Sequence, residues 1–212
     1  MVKPPKKILI IDDEAVFLEA SKKALIPCGF FCITKQDPSE GIMQLKKDSI
    51  DLVLLDIMMD PVDGWDILNH IRSHTNGNMV PVMMSSAKKL HPDELIRYGD
   101  SMDGFIIKPF LDSELCETVN EFFSFYETLL KISHAALIQG VPESVRKKWV
   151  QLNRQIRAMN QIKEILTPPL IIQEPISPEE FLQQRLFQIN QIITQKQSER
   201  DLIQFQYPVF RN

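Results

Sequence analysis

The sequence predicts an α/β fold, a doubly wound five-stranded parallel sheet, followed by an all-α C-terminal extension. Three observations carry this. Through residues 1–126, short apolar and β-branched runs alternate with amphipathic helical stretches, which implies parallel neighbours joined by right-handed crossovers. The third run, DLVLLD at 51–56, is apolar almost throughout, as a strand covered on both faces should be. Beyond 126 the pattern is helical only, and the composition shifts with it. Residues 1–124 carry 20 acidic against 13 basic side chains, residues 125–212 carry 8 against 11, and thirteen of the fifteen glutamines lie from Gln139 onward. Two regions with different tasks follow, 1–126 and 127–212.

The elements read in order. KKILIID (6–12) is the first strand, and 14–26 a helix with Phe17, Leu18, Ala24 and Leu25 on one side. Residues 30–34 form a second strand and 40–47 a short helix; 51–56 is the third strand, 65–73 a helix, 80–85 the fourth strand and 92–98 a helix. The fifth strand is 105–107, and a helix opens after Leu111 with Asp112 or Ser113 as its cap.

Composition narrows the class. The chain is 212 residues with 44% apolar and 25% charged side chains and a net charge of −4, which excludes a disordered chain, a collagen-like repeat and a disulfide scaffold. The longest apolar runs are four residues, so no segment spans a membrane, and Asp12, Asp13 and Glu14 close the first run at once, unlike a signal peptide. Cys28, Cys32 and Cys116 are odd in number and lack metal-site spacing. They read as free thiols in a reducing, cytoplasmic compartment.

In such sheets ligands bind beyond the carboxyl ends of the strands. Strand one ends in Asp12-Asp13, strand three in Asp56, strand four in Ser85-Ser86, and strand five runs into Lys108-Pro109. Three carboxylates at one rim repel each other unless a cation sits among them, and an all-oxygen set favours Mg²⁺ over zinc. A hydroxyl and an ammonium at the same rim suit a phosphoryl group. His70 and His74 stand four apart without a third ligand and read as a solvated helix face.

The stretches ILIIDDE (8–14), LVLLDIMMDPVDGW (52–65), PVMMSSA (81–87) and GFIIKPF (104–110) resemble the receiver domain of two-component response regulators, a flavodoxin-like fold of the CheY-like superfamily. The spacing fits as well, with Gly64 eight residues after Asp56 and Ser86 twenty-two before Lys108. The resemblance implies that Asp56 is the phosphoacceptor, and that Asp12, Asp13, Asp56 and the Met58 carbonyl hold Mg²⁺. It further implies that Ser86 is the switch hydroxyl, Lys108 the phosphate-pairing lysine and Phe105 the aromatic that follows the switch. The partner is then a sensor histidine kinase, and the chain catalyses only its own phosphoryl transfer and hydrolysis. The Lys108-Pro109 bond is expected to be cis. Two features depart from or tune this pattern. Asp60 stands where the family usually has proline, with Pro61 one later, and its carboxylate is expected in solvent; Met58 and Lys88 occupy positions that set phosphoryl lifetime.

In the second region the fifth receiver helix runs on to about Leu137, where Gly140 and Pro142 stop it. Ser144 then caps a helix with Val145, Trp149, Leu152, Ile156, Met159, Ile162 and Leu166 on one stripe. The segment 167–178 is proline-punctuated and extended, and a last helix opens at Pro178 with Ser177 as cap and Leu182, Leu186, Ile189 and Ile193 on its apolar stripe. Such helices bury little alone, so docking on the receiver, a homodimer or a downstream protein partner is expected. The alternative is a transcription regulator whose basic face, Arg146, Lys147, Lys148, Arg154 and Arg157, meets DNA, although no compact helix-turn-helix or wing is present. His134, on ISHAAL (132–137), is a candidate second phosphoacceptor whose neighbours match no phosphotransfer signature.

Overall fold

The computed structural model describes residues 4–73, 80–88, 90–166 and 178–211. Five strands, β1 (Lys7–Ile11), β2 (Phe31–Lys35), β3 (Leu52–Asp56), β4 (Val82–Ser86) and β5 (Gly104–Ile107), form one sheet in the order β2-β1-β3-β4-β5. Every pairing is parallel, with Ile11 opposite Leu55, Asp56 opposite Ser85, and Ser86 opposite Ile107. The helices are α1 (Ala15–Leu25), α2 (Pro38–Lys47), α3 (Gly64–Ser73), α4 (Pro92–Tyr98), α5 (Asp112–Ile138), α6 (Glu143–Leu166) and α7 (Pro178–Gln206).

The burial pattern explains the sequence pattern. β3 and β4 are central and buried along their whole length and β1 is buried from Ile8 on, whereas the edge strand β2 is partly open; the covered strands β1 and β3 carry the aliphatic runs ILII and LVLL. α2 begins two residues before its expected start, because Asp37 accepts from the Ser39 amide at 2.7 Å and Pro38 fits the first turn. Behind the sheet's active rim, Arg72 donates to the Ser101 carbonyl, the Val80 carbonyl and the buried Asp103 carboxylate, which also accepts from the Val82 amide.

The three-thiol expectation is corrected. Cys28 and Cys116 are joined in a disulfide across 88 residues of sequence, their Cα atoms 6.4 Å apart. Parity and local spacing carry no information about such a tertiary approach. Cys32 remains a thiol, and burial pushes it up to about 11.

Packing divides the chain into two compact units, one of residues 1–89 and 101–120, the other of 90–100 and 121–212. This line differs from the sequence boundary at 126, because α4 groups with α6 and α7. Within the second unit, Arg185 pairs with Asp93 at 2.8 Å, Lys196 with Asp100 at 2.8 Å, and the Gln155 amide donates to the Asp100 carbonyl at 2.7 Å. The expected stripe of α6 is internal from Trp149 to Ile162, and Ile189 and Ile193 of α7 are buried. A satellite core of Leu129, Ala136, Val141, Trp149, Val150 and Phe210 closes the unit, with the Phe210 ring stacked on Trp149 at 4.6 Å. α5 stops as expected, with Gly140 in the left-handed region (φ 78°) and the Val141 amide returning to the Ala136 carbonyl. His74, Ser177 and the 167–177 stretch lie outside the described residues.

Candidate functional site

The carboxyl ends of β1 and β3 deliver Asp12, Asp13 and Asp56 to one point, with a carboxylate oxygen of each within 4.8 Å of the others. Asp12 and Asp56 are buried, and so is Lys108, which follows β5. The Lys108 ammonium donates to Asp12 Oδ2 at 2.6 Å and to Asp56 Oδ1 at 2.7 Å. The remaining oxygens are partly used: Asp12 Oδ1 accepts from the Glu14 amide, and Asp13 Oδ2 from the Asp60 amide at 3.2 Å. Asp13 Oδ1 is buried without a hydrogen-bond partner.

One ammonium faces three carboxylates, so the site carries an excess of negative charge. Burial raises the Asp56 carboxyl above the ordinary 3.8; Lys108 opposes the rise, and Asp12 and Asp13 add to it. A buried orphan oxygen beside two further carboxylates fits a hard divalent cation, which would satisfy the orphan and neutralise the surplus. The cluster is therefore able to hold a metal.

The other expected site residues lie at the same strand ends. Ser86 closes β4, is buried, and its Oγ accepts from the Lys88 amide at 3.1 Å, while the Lys108 amide donates to the Ser86 carbonyl at 2.9 Å. Phe105 on β5 is buried, and Met58, after β3, is exposed. Lys108-Pro109 is cis, and so is Asp60-Pro61, where Asp60 is exposed. Gly64 opens α3 directly against the acceptor strand: a Cβ there would lie 2.8 Å from Ile57 Cα and 2.9 Å from the Asp56 carbonyl carbon.

Residues 8–120 match the response regulator receiver domain, over half of the chain. The chain belongs to the response regulator receiver family. It is a two-component response regulator in its first 120 residues, with a helical region after them. The uncharacterized transcriptional regulatory protein YcbL of Bacillus subtilis is 36% identical over 111 residues, covering 52% of this chain and 48% of that protein. The probable transcriptional regulator ycf29 of Pyropia yezoensis is 27% identical over 160 residues, covering 76% and 68%. The response regulator receiver domain protein of Clostridium thermocellum has a similar fold, with a TM-score of 0.52 at 26% identity, covering 58% of this chain and 98% of that structure. The chain spans about half the length of most of the curated relatives it matches. No helix among the described residues is long and apolar enough to cross a membrane.

Sequence reasoning missed one participant. Phe17 reads as a core residue of an amphipathic helix, yet its ring faces the Lys108 ammonium at 4.3 Å. The available signal was its place one helical turn after the acid pair. The basic face of the C-terminal helical region also resolves differently from its sequence pattern. Arg154 lies over Tyr126 and Arg157 over Phe125, Lys147 pairs with Glu143, Lys148 with Glu199, and Arg146 donates to the Val141 carbonyl. His134 is exposed on α5.

Proposed function

We propose that this response regulator is switched by phosphorylation of Asp56 by a sensor histidine kinase, and that its helical region passes the switched state on by protein contact. The observation that carries the reading is the buried Asp12–Lys108–Asp56 bridge at the strand ends, flanked by the orphan oxygen of Asp13. An Asp56 oxygen attacks phosphorus, the O–P bond forming as the P–N bond of phosphohistidine breaks and the imidazole keeps the electron pair. Mg²⁺ held by Asp12, Asp13, Asp56 and the Met58 carbonyl would neutralise charge on the transferring group. Lys108 then pairs with a phosphoryl oxygen and the Ser86 hydroxyl donates to another, drawing Ser86 inward and giving Phe105 room to follow. In this reading the chain catalyses only its own transfer and hydrolysis, and acts in the cytoplasm.

For the output, α4 and the turn after it support transmission by contact, since Asp93 of the helix and Asp100 just beyond it are held by Arg185, Lys196 and Gln155 of the tail. The DNA reading draws no support from the basic face, whose five side chains are engaged within the chain. Incubation with acetyl phosphate and Mg²⁺, followed by mass spectrometry, tests the switch: one phosphoryl group is expected on the wild type and none on Asp56→Asn. Equal labelling of both would overturn it. For the output, amide exchange over residues 90–100 is expected to change when beryllofluoride and Mg²⁺ are added, in the wild type alone. Unchanged exchange, with unchanged mass by light scattering, would refute transmission through the tail.

A further inference from the structure

We infer that Phe17 is a positioning residue for Lys108, holding the ammonium through the face of its ring while Lys108 trades a carboxylate oxygen for a phosphoryl oxygen. The inference rests on the reading of Asp56 as phosphoacceptor. Lys108 is almost wholly enclosed, its side chain 2% exposed, so water does not solvate the charge. Its ammonium has two carboxylate contacts, to Asp12 and Asp56, and the Phe17 ring is the third group against it, with the centroid 4.3 Å from Nζ. That distance lies well inside the range of about 6 Å over which a cation is attracted by an aromatic face.

The chemistry of the site makes a neutral aromatic the fitting third partner. A further carboxylate or carbonyl would add negative charge where Asp12, Asp13 and Asp56 already crowd together and where a phosphoryl group must enter. Water would give the ammonium a competing partner and would stand ready to hydrolyse the acyl phosphate. A ring face attracts the cation without adding net charge and without directing it to one point. Lys108 can therefore pivot from Asp56 Oδ1 toward an incoming oxygen, the pull of the ring strengthening as that carboxylate contact is given up. The backbone supports the placement: Phe17 sits in the first turn of α1, its amide bonded to the Glu14 carbonyl at 3.0 Å, in the segment that also presents Asp12 and Asp13. Phe17 is only half-buried, so its ring is the site's outer cover on this side rather than part of the central core.

The test separates ring electrostatics from ring shape. Phenylalanines carrying one, two and three fluorines are placed at position 17; they keep the ring's outline while draining its negative face. Beryllofluoride affinity and the rate of labelling by acetyl phosphate are then measured with Mg²⁺. A cation–π contact of this kind is worth about 0.5–2 kcal/mol, so Phe17→Leu should weaken beryllofluoride binding by roughly 2- to 30-fold. Affinity should fall stepwise with fluorine count, and Phe17→Trp should restore it. In metal-free protein, the Lys108 side-chain protons should show an upfield ring-current shift that Phe17→Leu abolishes. A flat fluorine series with unchanged Lys108 resonances would overturn the role of Phe17 while leaving the receiver reading intact. Failure of the wild type itself to take beryllofluoride at Asp56 would instead overturn the receiver reading, and this inference with it.

Discussion

Gly64→Ala is the sharpest probe of how the fold holds the acceptor. The added methyl would lie 2.8 Å from Ile57 Cα and 2.9 Å from the Asp56 carbonyl carbon, and closer still to the Asp56 carbonyl oxygen. Ordinary contact begins near 3.4 Å, so backbone must give way by more than 0.5 Å, and that backbone belongs to the acceptor itself. The opposite adjustment, retreat of α3, breaks the Gly64 amide's bond to the Ile57 carbonyl at 2.9 Å. Overpacking against backbone costs about 3 kcal/mol, a fall in melting temperature of roughly 6–12 °C for a chain this size. A site of this type tolerates about 0.5 Å of misplacement, and 1 Å costs about 100-fold, so labelling by acetyl phosphate should slow by roughly 10- to 100-fold. Gly41→Ala is the matched control, since its methyl would meet the rotatable Ile11 Cδ1 at 2.5 Å. It should cost about 1 kcal/mol and leave labelling within about twofold. Gly64→Ala labelled at the wild-type rate, or harmed no more than Gly41→Ala, would refute the idea that α3 braces the acceptor strand.

Three further outcomes follow from the same structure. Because burial holds the folded Asp56 carboxyl above 3.8, its ionised form destabilises the fold at neutral pH, a cost that fades as pH falls through the folded value; Asp56→Asn should raise the melting temperature in metal-free buffer at pH 7, the gain shrinking toward pH 4, as thermal melts across that range would show. Arg72→Ala removes the guanidinium from the buried Asp103 carboxylate and should cost about 3 kcal/mol in urea unfolding, while beryllofluoride affinity stays within about twofold because the pair stands away from the acceptor. Alkylation counted by mass should give one label on the denatured, unreduced chain and three after reduction, and in the native chain Cys32 should react ever faster up to pH 10 without a plateau, given a thiol near 11.

Much of this was legible in the sequence because burial on two faces leaves a plain mark. The run 52–55 is apolar throughout since β3 lies between β1 and β4, and Asp56, which ends the strand, stands out against that background. The acid pair, Ser86 and Lys108 are legible for the same reason, as polar residues ending apolar runs. What escaped has a common physical cause, dependence on distant partners. α4 spans seven residues, too few for periodicity to say which helices it joins. His91, capping α4 with its ring while Glu94 reaches back to the His91 amide, does a task usually left to Ser or Asp. Cys28 and Cys116 meet only through the fold. Phe17 is marked only by its place one helical turn after the acid pair; its residue type does not separate an aromatic facing a cation from one facing other apolar groups.

The membership of α4 bears on how such a chain can be taken apart and recombined. A hybrid joined at residue 126, where the sequence invites a cut, keeps the helix but discards Gln155, Met159, Arg185 and Lys196, the side chains that have shaped it. A foreign tail would inherit Asp93, Gly99 and Asp100 without their complements. Residues 90–100 therefore travel with the C-terminal helices as one heritable set, although the chain reads them out between two strands of the sheet.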